Sequence, residues 1–369
     1  MKRVAVIRSN FLPPTETFIY EELKRLKRYR AYVLAKKRSN RKKFPYPRVT
    51  VINKKKGWRH YLRKNKIDLI HARFGHAGID LLDTKRKTGL PMITSFHGHD
   101  NPRNRKNRKK YRNLKKLFRH GEKFTVTNRQ MGRILREYGC PKRKIHVQHS
   151  GIDLAKFRFK ARKRPKKGPI KILYVGRFVE KKGAKYLVRA FKRVTKRVPN
   201  VKLTMIGDGS QRNQIKRLVR KLGLSKKVNM IRTLPHQQVV KQMRHTHLFC
   251  LPSVTGKNRD QEGIPNVLKE AMASGVPVIS TRHAGIPELV THKKTGFLVR
   301  ERDSKALAKM LLYVIRRPNK WKGVGIRARR KIARDFDSRK QTARLERLYD
   351  EVLRNRKRKK KKRKRGVKR

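Results

Sequence analysis

The sequence predicts an α/β protein made of two Rossmann-like domains, and three observations carry that prediction. First, short apolar runs alternate with amphipathic helical stretches from "RVAVIR" at 3–8 through "AYVLAK", "RVTVIN", "IDLIHARFG" and "PMITSFHGHD", the pattern of a parallel sheet with helical crossovers. Second, the alternation restarts at "IKILYVGRFVEKKGAKYLVRAF", after a polar, basic segment at 157–169, "FRFKARKRPKKGP", broken by Pro and Gly as a linker is. Third, "DQEGIPNVLKEAMASGVPVISTRHAGIPELV", Asp260 to Val290, reads as loop, helix, strand and loop, continuing the second series. At 369 residues each half is long enough to bury its own core.

Charge is the odd feature of the composition. Lys plus Arg number 108 against 23 Asp plus Glu, a formal +85. Such a chain binds nucleic acid, anionic lipid and acidic glycans without a dedicated site, so charge alone identifies no function. The acids that remain are more informative: Glu16, Asp100, Asp153, Glu180, Asp208, Glu262, Glu270 and Glu288 fall inside or beside motifs, while the amphipathic stretches "KKYRNLKKLFRH" and "QRNQIKRLVRKLG" carry none. Cys140 and Cys250 are far apart and lack metal-ligand spacing, which predicts a reducing compartment and no structural metal. "RVAVIRSNFLPP" is too short in its apolar run for a signal peptide and reads as a first strand. No run of about 18 apolar residues predicts a membrane-spanning helix.

In the first half, "SNFLPPTETFIYEELKRLKR" follows the first strand as a loop and a helix, which places the loop at the carboxyl edge of a parallel sheet, where α/β folds bind ligands. Glu16 in that loop either contacts a ligand or complements the dipole of the helix it precedes. In "TSFHGHD" His97 falls just past a strand end, at the same edge, and His71 and His76 in "HARFGHAG" lie near the preceding strand end. "NPRNRKNRKKYRN" leads through a loop into a basic helix, and "EKFTVTN" and "IHVQHSGIDLAKF" complete the half.

The second half opens with the strand "ILYVG", whose loop carries Arg177 and Lys182 before Gly183 begins a helix. Two cations at a helix N-terminus form a diphosphate clamp. "VKLTMIGDGSQRN" is strand, glycine turn at Gly207 and helix; "VNMIRTLPHQQVVKQM" is strand, loop with Thr233 and Leu234, and helix; "THLFCLPSVTGKNRDQEGIP" is strand and loop. Pro265 then suits the first helical position, and Ser274 and Gly275 end that helix before the strand "VPVIS". The N–H groups around Gly263, Ile264, Asn266 and Val267, with the positive end of the helix dipole, form an anion site. Glu262 just before the helix and Glu270 two turns into it flank that site. Acids beside a phosphate site need hydroxyls to accept from, and a sugar nucleotide supplies both groups.

"EGIPNVLKE" resembles the E-x7-E signature of the retaining glycosyltransferases of family four, and "EAMASGVPVIS" with "AGIPELV" continues that pattern. Within the family the stretch looks closest to enzymes of bacterial exopolysaccharide assembly, of the colanic acid and amylovoran type. The resemblance implies the GT-B architecture, two Rossmann-like domains facing each other across a cleft with a C-terminal helix crossing back to the first. It further implies that Arg177 and Lys182 in "VGRFVEKKG" hold the diphosphate, Glu262 the donor sugar, and Glu270 the ribose. Gly207, Thr233, Leu234, Gly263, Ile264, Pro265, Asn266 and Val267 would line the donor site. His97 matches a histidine that approaches the donor from the first domain, and "TETF", Thr15 to Phe18, matches an acceptor-side element. Ser150 stands where asparagine is usual, and His247 where aspartate is usual, which costs a local cap.

These readings converge on a metal-independent transferase that moves a hexose from a nucleoside-diphosphate sugar to a glycan or lipid-linked acceptor with retention of configuration. His97, Glu262, Arg177 and Lys182 are the expected catalytic residues, with Glu16 and His76 on the acceptor side and no cofactor. The expected domains are 1–156, a linker at 157–169, 170–335, a crossover helix at 336–352 and a disordered basic tail at 353–369. A cytoplasmic setting is expected, with peripheral contact to anionic membrane and nonspecific nucleic-acid binding from charge. Asp335 and Asp337 mimic a D-x-D metal site but precede Ser338 as a helix cap, far from the donor motifs. The rival reading is a polyanion-binding protein that retains the scaffold.

Overall fold

A computed structural model describes residues 1–13, 16–52 and 55–366, the side chains of 55, 56, 99 and 359–366 excepted. The chain forms two compact units, Met1–Gly151 with Ser338–Arg369, and Ile152–Asp337. In the first, β1 (Lys2–Phe11), β2 (Tyr29–Arg38), β3 (Val49–Val51), β4 (Leu69–Arg73), β5 (Met92–Phe96), β6 (Lys123–Val126) and β7 (Ile145–Val147) form one sheet in the order β3-β2-β1-β4-β5-β6-β7. Every pairing in it is parallel. Strands β4 and β5 are buried along their whole length, because helices cover both faces; a parallel sheet of this kind needs continuous apolar runs rather than alternation. The Thr17–Arg25 helix packs Ile19 and Leu23 against one face. Leu345, Leu348, Tyr349 and Val352 from the Ser338–Gly366 helix complete the same core.

In the second unit, β8 (Ile170–Val175), β9 (Val201–Ile206), β10 (Val228–Ile231), β11 (Leu248–Leu251), β12 (Val278–Thr281) and β13 (Phe297–Val299) form a parallel sheet in the order β10-β9-β8-β11-β12-β13. Each sheet therefore reverses its winding once, between β1 and β4 and between β8 and β11. Loops leaving the carboxyl ends of those neighbours diverge, and the crevice between them is where such sheets bind ligands.

Several expectations need correction. Residues 157–169 do not separate the units: Phe157 is buried in the second core, and buried Arg162 donates to the carbonyls of Thr246 (2.7 Å) and Met243 (2.8 Å). The chain crosses between units at 151/152 and 337/338 instead, where Ile152 bridges in parallel to Asp337. Residues 353–366, expected as disordered, continue the Ser338–Gly366 helix. Lys and Arg are good helix formers, and extending a nucleated helix is far easier than starting one. The basic segment after β5 is short 3-10 turns at Arg105–Asn107 and Lys109–Tyr111, and the α-helix starts only at Leu114.

Candidate functional site

The winding reversal of the second sheet gathers most of the residues singled out from the sequence. Strand β8 ends in a loop and a 3-10 turn at Glu180–Lys182, and the Ala184–Thr195 helix begins after Gly183. Gly183 sits at φ 66°, and a Cβ there would lie 1.8 Å from the Pro252 carbonyl oxygen in the loop after β11, so the two loops touch only because this residue is glycine. Gly207, after β9, is similarly placed: a Cβ would lie 2.1 Å from the Gly176 carbonyl oxygen. The close approach carries Lys182 to Glu262, with Nζ 2.9 Å from Oε1 and both side chains mostly buried. This is an ion pair by distance whose angle falls outside hydrogen-bond geometry. Beside it Lys181 reaches Asp260 at 2.9 Å.

Two carboxylates and two ammonium groups thus alternate at the mouth of the crevice. Burial alone would raise the Glu262 carboxyl, but the charges of Lys182 and Lys181 hold it below the ordinary glutamate range. The Asn266–Ala273 helix starts four residues later, with Pro265 as its N-cap rather than its first residue. Glu270 consequently lies one turn into the helix, not two. Its Oε1 is 3.4 Å from Nε2 of the exposed His236. Ile264 and Pro265 are buried, while Gly263, Asn266 and Val267 are half-buried. Thr233 is exposed on the loop after β10, and Leu234 packs on the core. Arg177 is exposed, and its guanidinium has no ion pair or hydrogen bond among the described residues.

Sequence reasoning missed the support for this loop. The Glu262 N–H donates to Nε2 of fully buried His283 (3.0 Å), whose Nδ1 lies 2.7 Å from Glu301. Because Nε2 accepts, the ring proton sits on Nδ1 and is donated to Glu301. Glu301 also accepts from the Thr255 N–H at 2.7 Å. Burial opposes ionisation of Glu301, yet these two donors hold its carboxyl below the ordinary range. His283 stands within the motif stretch, but only the fold shows its partner. Lys269 was also missed: it is fully buried, donates to Asn266 Oδ1 (3.0 Å), and burial pushes its amine down to about 7. His247 accepts the Lys171 N–H through Nδ1 at 2.9 Å, which ties the start of β11 to β8. Asp335 pairs with Arg334, and among the described residues no three His, Cys, Asp or Glu side chains cluster as metal ligands.

In the first unit the reversal between β1 and β4 holds different chemistry. Glu16 does not present a free carboxylate: both oxygens are taken by buried Arg8, with Nε at 3.0 Å, and Arg8 stacks 3.9 Å over the Phe74 ring. Thr15 and the side chain of His99 lie outside the described residues. His76 stacks on Phe74 and places Nδ1 3.9 Å from Asp100 and Nε2 3.5 Å from Ser9. Asp100 is buried, accepts from the Gly75 N–H (2.7 Å) and the Tyr111 hydroxyl, and is pushed up to about 6 by burial. His97 is half-buried, its ring 4.9 Å from Phe74 and 5.0 Å from Phe18. His71 is fully buried, bonded to Tyr349 and Ser95 at 2.6 Å each.

Comparison with known proteins agrees with this organisation. Residues 12–156 match the model of glycosyltransferase family 4, and residues 156–331 that of glycosyl transferases group 1. The putative colanic acid biosynthesis glycosyltransferase WcaL of Salmonella typhimurium is 32% identical over 77% of this chain and 71% of its own. The amylovoran biosynthesis glycosyltransferase AmsK of Erwinia amylovora is 33% identical over 73% of this chain and 67% of its own. Among solved structures, Anabaena HepE in complex with UDP superposes with a TM-score of 0.82 at 18% identity, covering 95% of this chain and all of that one. Sucrose-phosphate synthase from Thermosynechococcus elongatus gives 0.77 at 18% identity, covering 96% of this chain and all of that one. Two doubly wound parallel sheets, the GT-B architecture of these neighbours, and family matches on both halves place the chain among the group 1 and family 4 glycosyltransferases: it is a glycosyltransferase.

Proposed function

We propose that the protein transfers a hexose from a nucleoside-diphosphate sugar to a glycan or lipid-linked saccharide acceptor, with retention of configuration, in exopolysaccharide or cell-surface polysaccharide synthesis. The observation that carries this reading is the Lys182–Glu262 pair, set at the winding reversal of the second sheet directly before the Asn266–Ala273 helix. An incoming diphosphate competes for Lys182 and meets exposed Arg177 and the positive helix end, which favours charge developing on the leaving group. Glu262, released from Lys182, accepts from donor sugar hydroxyls. Glu270 takes the ribose diol, and Gly207, Thr233 and Leu234 flank the base. These cations supply the charge stabilisation themselves, so the reading needs no metal. In this reading the leaving phosphate itself helps to deprotonate the acceptor. Two relatives named for colanic acid and amylovoran synthesis support the exopolysaccharide setting. HepE structures with UDP and UDP-glucose support a nucleotide-sugar donor.

Calorimetric titration with UDP and GDP in about 1 M salt, where screening shortens to about 3 Å, tests the reading. Saturable binding of one nucleotide by the native chain, weakened in Arg177→Ala, is the expected result. Equal, weak binding of both nucleotides by both proteins overturns it and leaves a polyanion-binding scaffold.

A further inference from the structure

Two lysines stand side by side in the turn after β8, and the diphosphate chemistry uses only one of them. The Glu180–Lys182 turn grips the loop that follows β11. Glu180 accepts the Lys257 N–H at 2.8 Å, and the Lys181 carbonyl accepts the Val254 N–H at 2.9 Å. Lys181 itself is buried, its Nζ 3.0 and 2.9 Å from the two Asp260 oxygens and 3.4 Å from the Gln261 carbonyl. An ammonium group has three N–H donors, and these acceptors occupy them. Lys182, by contrast, meets Glu262 through one oxygen at an angle outside hydrogen-bond geometry. The first lysine is saturated and held, whereas the second can change partner.

That change has a cost for Glu262. Its side chain is 10% exposed, and a carboxylate in such surroundings that loses its counter-charge takes up a proton instead. Once protonated, Glu262 would give up part of its capacity to accept from donor sugar hydroxyls. The groups facing it are Lys181 and Lys182 from the turn, Tyr174 from β8, and His283 from the loop after β12, which accepts the Glu262 N–H at 3.0 Å. Asp260 adds a negative charge from the same loop. Burial pushes the Tyr174 hydroxyl far above its ordinary range, so it stays neutral. His283, with an acceptor nitrogen turned to Glu262, carries no charge there. With Lys182 on the diphosphate, Lys181 is the cation left among these groups.

We propose that Lys181 is a positioning residue of the donor site: anchored on Asp260, it stays behind as the counter-charge that keeps Glu262 a carboxylate when the diphosphate draws Lys182 away. The inference rests on the donor-site reading above and adds to it a division of labour between the two lysines, one that changes partner and one that does not.

Proton counting by calorimetry tests it. The full chain is titrated in about 1 M salt near pH ~6, in buffers of different ionisation enthalpy, with UDP-glucose or, where GDP is the nucleotide that binds, GDP-mannose. Native protein should bind with the same proton count as Glu262→Gln, which cannot titrate at that position. Lys181→Met should take up about one proton more, because its Glu262, ionised against Lys182 in the unliganded protein, would be protonated in the complex. Lys181→Arg should restore the native count. Asp260→Asn breaks the same tie but leaves the ammonium, and should also keep the native count. A Lys181→Met count equal to the native one, or equal extra uptake in Lys181→Met and Asp260→Asn, overturns the proposal and makes Lys181 a strut for the loop. Native uptake above that of Glu262→Gln overturns it too, whether or not Lys181→Met folds. Failure of the native chain to bind either donor would instead defeat the donor-site reading itself.

Discussion

The two winding reversals share a topology and differ in how they spend their charges. At the second, mostly buried Lys182 and Glu262 face each other, with Lys181 and half-buried Asp260 alongside and Arg177 exposed. At the first, Arg8 is buried against Glu16, Arg73 against Glu22, and Asp100 is enclosed by Gly75 and Tyr111. The second crevice thus keeps ions that a charged ligand can re-pair. The first has matched its ions internally and shows hydroxyls and imidazoles. Identical backbone wiring thus carries re-pairable ions in one unit and internally matched ions in the other, and the side chains at four strand ends make that division.

Removing an ion from the exchangeable pair should have the largest effect. Lys182→Ala is expected to lower turnover about 10²-fold or more, measured with UDP-glucose as donor; unchanged turnover would make the pair structural and erase the contrast. A pH comparison follows, with an effect on the order of a few kcal/mol. Asp100, raised to about 6 when folded, binds its proton more tightly in the native state, so its contribution to stability falls as pH rises from about 4 to 6. Lys269, lowered to about 7, is the converse: the unfolded chain binds the proton more tightly, so stability rises as pH climbs from about 7 to 10. Denaturant midpoints of Asp100→Asn and Lys269→Met across pH should each lack one of these slopes; parallel profiles for the native chain and both variants would refute the assignment.

His283→Phe strands the Glu262 N–H and leaves Glu301 with Thr255 as its donor, and should cost about 1–3 kcal/mol in urea unfolding, together with weaker UDP binding. His236→Ala tests the shallow end of the comparison. Its partner contact with Glu270 is long and exposed on the histidine side, so stability should change by less than about 0.5 kcal/mol.

Strands were the most legible part of the sequence, since each is a run such as "ILYVG" or "PMITSF" whose apolar character is local. The Glu262–Glu270 stretch was legible as loop and helix for the same reason: both carboxylates are neighbours along one short segment. What escaped were pairings set by the fold. His283 meets Glu262 from 21 residues away, Arg162 meets Thr246 from 84, and neither spacing has a periodic signature. Composition also misled: Pro, Gly and Lys at 157–169 look like a linker, yet one buried arginine ties the segment down. Glu16 was placed at the correct edge, but no local pattern tells that Arg8, eight residues earlier, takes both of its oxygens.

The helix Ser338–Gly366 has a consequence for synthesis on the ribosome. Leu345, Leu348, Tyr349 and Val352 belong to the core begun by β1 and β2, so residues 1–151 emerge first but wait for the last segment to be translated. The intervening unit, whose ends at Ile152 and Asp337 lie side by side, is complete before then. Translation order and completion order are reversed, and during that interval the nascent amino-terminal sheet has an apolar face that a chaperone would have to cover.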